Sequence, residues 1–380
     1  MKVLGISPAF YPATYWGGPI ASLHGLYNSL ARLPDIDLRV LTTDAAGPQL
    51  SQRVQVDAFP SRYPAGYQVY FCRRRAGASF APQMLAEMPT MIRWADVVHL
   101  TGVYSAPTIP ALAICRLAGR PVVWSPRGAL QRWEASSRPQ LKAVWDLTCR
   151  QWIDKVRTVI HATSEEEAAA IRLRIRGVRV QVMPNGVDAS APSQSRSWMP
   201  ANTLRLLYLG RLHPIKGIEN LLHALARLRD MPYVLRICGV GDSGYAEALR
   251  DLVRSLQLQE LVHFVGEVVG DRKHAEFESA DVCVVPSHSE NFGMVVAESL
   301  AHGVPVIAAR GTPWQGVVSH ACGYWVDNDP DSLAKAVRRM KREDLEAMGR
   351  RGRAWMADSF AWSDIARRMR ECYAALLAHA

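Results

Sequence analysis

The 380-residue chain is 49% hydrophobic and 21% charged and carries a formal net charge of +10, which excludes a disordered polyelectrolyte and gives room for two domains of ordinary size. No segment reaches the roughly 18 uninterrupted apolar residues of a membrane-spanning helix, and MKVLGISPAFYP has no apolar stretch typical of a secretory leader, so a cytoplasmic protein is expected. Seven dispersed cysteines without a CxxC pair argue against a disulfide framework and against a zinc site.

In chain order, KVLGISP (2–8), LRVLTT (38–43), QVYFCR (68–73), DVVHLTG (96–102), PVVWSPRG (121–128), TVIHATS (158–164) and VQVMPNG (180–186) read as strands. Helical patterns such as GPIASLHGLYNSLARL and SEEEAAAIRLRI fall between most of them. The second half repeats the rhythm with LRLLYLG (204–210), YVLRICG (233–239), VHFVG (262–266), DVCVVPS (281–287), PVIAA (305–309) and YWV (324–326). Apolar strands alternating with helices predict parallel sheets covered on both faces. The Ser/Ala/Pro-rich stretch ASAPSQSRSWMPAN (189–202) reads as a linker. The expectation is an α/β protein of two Rossmann-like, doubly wound domains, 1–188 and 203–360. A final helix in 361–380 has no strand after it and is expected to pack back on the first domain. Ligands bind such sheets beyond the carboxyl ends of the strands, so a cleft between two facing domains is anticipated.

Three stretches of the second half can carry chemistry. Gly239-Val-Gly241-Asp-Ser-Gly244 matches the dinucleotide fingerprint GxGxxG between a strand and a helix. A complete strand and helix precede it, however, and no ribose-binding acid stands at the proper distance beyond it, so a ligand-facing tight turn is the better reading. LYLGRLHPIKG (207–217) places Arg211 and Lys216 after a strand, a fork and a movable point charge suited to a diphosphate. SENFGMVVAESLAHG (289–303) turns from loop to helix at Phe292-Gly293-Met294, whose backbone amides suit an anion. Glu290 in that loop and Glu298 in the helix can each accept hydrogen bonds from hydroxylated rings. A diphosphate between two sugar-like groups is a nucleotide-sugar.

GRL…KG, the acid–seven residues–acid spacing of SENFGMVVAE, GVPVIA, MPNGVD and the glycine pair of YWGGPIASLHGL together resemble glycosyltransferase family 4 over nearly the whole chain. SPRGAL, GTPWQGV and CGYWVD are similar to its bacterial polysaccharide-assembly members. The resemblance implies a retaining, GT-B-fold hexosyltransferase that uses a nucleotide-diphospho-sugar. By it Glu298 would meet the donor ribose and Val268 the base, while Glu290 would meet the transferred sugar. Arg211 and Lys216 would hold the diphosphate, with Gly17 and Gly18 lining the cleft from the other domain. Where many relatives carry a histidine after the strand PVVWSP, this chain has Arg127. Arginine cannot act as a general base near neutral pH, but it can stabilise negative charge. His99, closing DVVHLTG, is a second candidate of that domain, against a structural hydrogen-bonding role.

Asp35-Ile-Asp37 and Asp327-Asn-Asp329 match the metal-binding DxD of a different architecture. The first sits in a turn and the second precedes a helix that an aspartate would cap, so no metal and no other cofactor is expected. The first 190 residues hold 22 Lys and Arg against 13 Asp and Glu, the remainder 23 against 22. Residues 127–157 concentrate that excess and interleave Trp133, Trp145 and Trp152, a mixture suited to a peripheral contact with the inner face of the cytoplasmic membrane or to a solvated helix burying its tryptophans. No nucleic-acid-binding signature accompanies it. The combined reading is a transferase moving sugar from a UDP- or GDP-sugar to a saccharide acceptor, lipid-diphosphate-linked, in surface polysaccharide assembly. A sugar-nucleotide epimerase, a phosphorylase and a non-catalytic nucleotide-sugar-binding protein are the alternatives.

Overall fold

The computed structural model of the chain describes residues 1–131, 139–188 and 196–378. It divides into two compact units, Met1–Gly186 with Trp362–Ala380, and Val187–Ala361.

The first unit is built on eight strands: β1 (Lys2–Ile6), β2 (Asp37–Thr43), β3 (Ser61–Arg62), β4 (Gln68–Cys72), β5 (Val97–Thr101), β6 (Val122–Ser125), β7 (Thr158–Ala162) and β8 (Arg179–Val182). Their order is β3-β4-β2-β1-β5-β6-β7-β8, parallel except for the β3–β4 pair. β5 (VVHLT) and β7 (TVIHA) are buried at every residue, mostly apolar but each enclosing a histidine and a threonine. Leu4, Val98, Trp124 and Ile160 meet Met84, Met88 and Ile92 of the helix Pro82–Trp94 in one core.

The second unit carries β9 (Leu204–Leu209), β10 (Tyr233–Cys238), β11 (Val262–Gly266), β12 (Val282–Val285), β13 (Val306–Ala309) and β14 (Gly323–Val326), all parallel, in the order β11-β10-β9-β12-β13-β14. Alternation along β9 sends Leu204, Leu206 and Tyr208 to one face, against Leu221, Leu249 and Val337, and Leu207 to the other, against Phe277, Val296 and Leu300. In each sheet the order of strand addition reverses once, between β1 and β5 in the first unit and between β9 and β12 in the second. The crevices beyond those strand ends are where doubly wound sheets bind ligands.

Local chemistry sets the helix ends. Ser164 caps Glu165–Arg174 by accepting from the Glu167 amide, with three glutamates in the first turn and Arg172 and Arg174 in the last. Asp329 caps Pro330–Met340 through the Ser332 amide, and Asp327 faces Arg310, so this DxD pair is spent on structure. Asp35 is bound by Arg370 and Asp37 begins β2. Among the described residues no three potential metal-ligating side chains come together.

The helix Trp362–Ala378 packs on Gly18–Leu30 within the first unit. Gly25 and Gly186 make room for the Trp362 indole, since a Cβ on either would lie 2.4 Å from it. Residues 189–195 of the linker reading lie outside the described residues. From residue 196 the chain packs with the second unit, where Arg196 donates to the carbonyls of Phe277 and Gly303 at 3.0 and 3.2 Å. No helix of the described residues is long and apolar enough to cross a membrane.

Trp133 also lies outside the described residues. Trp145 and Trp152 turn inward, against the core, and the Trp145 indole donates to the Val103 carbonyl at 2.8 Å. Of the two readings of this stretch, these two tryptophans follow the one in which a helix buries them, and they anchor the helix Pro139–Trp152. Its outer side carries Leu141, Val144 and Leu147, 64, 63 and 55% exposed.

Candidate active site

The β9/β12 crevice collects most of the residues singled out in the second half. β9 runs into Gly210 and the exposed Arg211, whose carbonyl accepts from the Tyr208 hydroxyl at 3.0 Å. The short turn Pro214–Lys216 comes next, with His213 capping it by accepting from the Ile215 amide. Burial, and then the charges of Arg211 and Lys216, hold the His213 imidazole below its usual pKa, a sign of positive potential here. Gly217, at φ +61°, closes the turn beneath the β12 end: a Cβ would sit 2.2 Å from the Pro286 carbonyl oxygen. The His288 amide donates to the Ile215 carbonyl at 2.8 Å, so the two loops form one surface.

On that surface Glu290 accepts from Lys216 and, at 2.8 Å, from the Ser287 hydroxyl. Its own amide is bound to the Gly311 carbonyl, which fixes the backbone. Phe292 is buried against Trp314, whose indole donates to the Phe292 carbonyl. Gly293, at φ +78°, is the N-cap of Met294–Ala301 and lends no side chain to the helix amides. A turn and a half on, Glu298 accepts from Lys273 at 2.6 Å, both side chains part-buried. Val268 is buried nearby in the second core. Each carboxylate is thus held by a lysine from a neighbouring element. Lys273 and Ser287 were missed in the sequence, because Lys273 sits in an ordinary amphipathic helix and Ser287 ends a strand pattern. The arrangement can receive an anion at the helix amides and offer two oriented carboxylates to hydroxyl groups.

The glycines of GVGDSG answer to packing. A Cβ on Gly239 would lie 1.8 Å from the Gly210 carbonyl oxygen, and one on Gly241 2.0 Å from that of Leu212. The Gly210 and Leu212 amides donate to the Cys238 and Val240 carbonyls, both at 2.9 Å. The two loops touch backbone to backbone, and the Arg211 segment rests on that contact.

In the first unit, Gly17 (φ +74°) links the turn Thr14–Trp16 to the helix Gly18–Leu30, and apart from its chain neighbours no atom of the described residues stands within 4 Å of where its Cβ would be. His99 differs from its expected place. It is the midpoint of β5, fully buried, with both ring nitrogens bound inside the protein. Nδ1 pairs with the Tyr373 hydroxyl at 2.5 Å and Nε2 with Ser125 Oγ at 2.8 Å, and Ser125 Oγ pairs with His161 Nδ1 at 2.8 Å. His161 Nε2 faces the Met183 carbonyl at 2.9 Å. A carbonyl only accepts, so His161 Nε2 donates; with neutral rings every other donor is then fixed, and the hydrogen bonds run one way from Tyr373 to Met183. Burial, then neighbouring charge, holds His99 well below its usual pKa and His161 near 3, which keeps both neutral. His99 links the C-terminal helix to the sheet, and both of its ring nitrogens are already engaged there.

Arg127 stands at φ +55° just past β6. Its Nη1 donates to Asn185 Oδ1. Glu167, fully buried, accepts from the amides of Gly128 and Thr163 at 2.6 and 2.7 Å and from the Thr163 hydroxyl at 2.9 Å, tying the Arg127 loop to the next helix.

Comparison with known proteins agrees with this architecture. Residues 17–186 match the family model described as glycosyl transferase 4-like domain, and residues 195–355 the model described as glycosyl transferases group 1. A D-inositol 3-phosphate glycosyltransferase of Kineococcus radiotolerans is 34% identical over 224 residues, 51% of this chain and 51% of that protein. The chain spans about half the length of the curated relatives it matches. Sucrose-phosphate synthase from Thermosynechococcus elongatus has a similar fold (TM-score 0.78, 21% identity, all of both chains). So does Anabaena Alr3699/HepE in complex with UDP-glucose (TM-score 0.73, 20% identity, 99% of this chain and 100% of that one).

Proposed function

We propose, from the premise that this chain belongs to glycosyltransferase family 4, that it is a retaining transferase moving a sugar from a UDP- or GDP-sugar to a saccharide acceptor. The observation that carries the reading is the β9/β12 crevice, where Arg211 and Lys216 stand beside the Gly293 helix start and the two lysine-held glutamates. Arg211, Lys216 and the amides of Phe292, Gly293 and Met294 would meet the diphosphate, and Gly17 and Gly18 are assigned to the same donor. Glu298 would accept from the ribose with Val268 near the base, and Glu290 from the transferred sugar. Lys216, drawn to phosphate, would release the Glu290 carboxylate to those hydroxyls. In the transfer, the acceptor oxygen bonds to the anomeric carbon on the face from which the nucleotide diphosphate leaves. The bond from that carbon to the phosphate oxygen breaks, and the acceptor proton passes to the departing phosphate. Arg211 and Lys216 supply the countercharge, so no metal is required. HepE, bound to UDP-glucose, supports a UDP donor.

The test is thermal-shift titration with UDP, GDP, ADP and NAD. A ligand at 100 times its dissociation constant adds about 2.7 kcal/mol, a visible shift. Stabilisation by UDP or GDP is the expected result; stabilisation by NAD alone would overturn the reading.

The acceptor is proposed to be lipid-diphosphate-linked, worked on at the inner face of the cytoplasmic membrane, for surface polysaccharide. The exposed Leu141, Val144 and Leu147, with Arg150 and Lys155 exposed nearby, support a shallow contact with an anionic bilayer. Co-sedimentation with phosphatidylglycerol vesicles is expected, and Val144→Glu should reduce it several-fold. Equal sedimentation of the variant would remove this face from the account.

A further inference from the structure

Two arginines of the second unit bind their acids through the same edge of the guanidinium. Arg205 grips Asp281 with Nε and Nη2 at 3.1 and 2.7 Å, and Arg236 grips Glu276 with the same two nitrogens at 2.7 and 2.6 Å. This side-on fork is the geometry that fits a carboxylate or a phosphate. In Arg127 that fork is open: Nη1 is engaged by Asn185, whereas Nε and Nη2 have no hydrogen-bond partner among the described residues. The residue is partly exposed, yet those two nitrogens are shielded from water. An anion reaching them leaves solvent behind and is held the more firmly.

Two hydroxyls share the place. Tyr27 is fully buried, feels the charge of Arg127, and lies beside Thr101. Among the described residues neither the Tyr27 hydroxyl nor Thr101 Oγ1 makes a hydrogen bond of good geometry, although the two approach each other. Thr101 is the last residue of β5, and Gly5 of β1 is bare beneath the Tyr27 ring: a Cβ there would lie 2.5 Å from the phenol oxygen. The four unpartnered atoms therefore gather at the β1/β5 reversal, the place where this sheet is expected to bind a ligand. Glu167, the acid whose charge acts on Arg127, already has its oxygens on Gly128 and Thr163.

We propose that the Nε–Nη2 edge of Arg127, with the hydroxyls of Tyr27 and Thr101, forms an oxyanion site that takes a carboxylate or phosphate carried by the sugar acceptor. The oxyanion site stands on this geometry; its assignment to the acceptor rests on the transferase reading above.

The test is thermal-shift and calorimetric titration of the full chain with glucuronate, glucose 6-phosphate, inorganic phosphate and glucose, for wild type, Arg127→Met and Tyr27→Phe. One or both charged sugars should bind the wild type and glucose should not. The charged sugar that binds identifies the group as carboxylate or phosphate. Arg127→Met should weaken that binding by at least about tenfold. Tyr27→Phe removes a hydroxyl that approaches Thr101 but makes no well-formed hydrogen bond among the described residues, so it should leave the unfolding temperature little changed while weakening the anion several-fold. A merely structural role would give the first result without the second. Binding of glucose as tight as that of the anions, or anion binding unchanged in Arg127→Met, would overturn the site, and inorganic phosphate alone would mean an adventitious ion only. Equal loss of UDP and GDP stabilisation in Arg127→Met would assign the fork to the donor phosphate and overturn the acceptor assignment. Anion binding without any response to UDP or GDP would instead sink the donor reading and leave this site standing.

Discussion

Alanine at Glu290 is expected to lower sugar transfer by on the order of 10³-fold while UDP or GDP still binds. The carboxylate is held by Lys216 and the Ser287 hydroxyl, and its backbone is pinned to Gly311, so it is presented in one orientation. Truncation removes an acceptor for the transferred sugar's hydroxyls. It also sets Lys216 free for phosphate, so nucleotide affinity should hold or rise. Turnover with a saccharide acceptor, measured beside nucleotide titration of the same variant, separates the two roles. Parallel loss of both would show that Glu290 organises the loop and does not meet the sugar.

Gly239→Ala should be the most damaging small change in the second unit. The added carbon would lie 1.8 Å from the Gly210 carbonyl oxygen, with φ at +150°, where L side chains are strained. Both obstacles are backbone, so no rotamer relieves them. A cost above about 4 kcal/mol is expected, lowering the unfolding temperature by roughly 10 °C. Protein that still folds should bind UDP or GDP more weakly, because Arg211 comes directly after Gly210. Gly244→Ala is the control. Its carbon meets only the Asp242 side chain, at 3.2 Å, and the change should be mild. If instead Gly239→Ala melts like wild type, the packing account of GVGDSG is wrong.

The strands were legible because parallel strands buried on both faces are rich in apolar residues: β12 and β13 are apolar throughout, and β5 and β7 are interrupted by histidine and threonine alone. Arg211, Lys216, Glu290 and Glu298 could be read as a group because the first three lie in loops just past a strand and the fourth follows in the helix that opens at Gly293. Orientation was less legible. His99 reads as a strand end, but the strand continues to Thr101 and encloses it. Trp145 and Trp152 read as amphipathic anchors, yet the side of the helix they occupy depends on where the core lies. Lys273 carries no local signal at all, since its partner Glu298 is 25 residues away. The open fork of Arg127 is likewise visible only once Asn185 and Glu167 are brought to it from distant strands and helices.

The first unit is discontinuous in sequence: its sheet is sealed by a helix that lies beyond the whole of the second unit. On the ribosome, residues 1–186 emerge with the slot at Gly25 and Gly186 unfilled and His99 lacking the Tyr373 hydroxyl. Residues 187–361 are contiguous and can complete their own sheet as soon as they leave the exit tunnel. Synthesis order and folding order are therefore inverted, and the half translated first is the half that must wait.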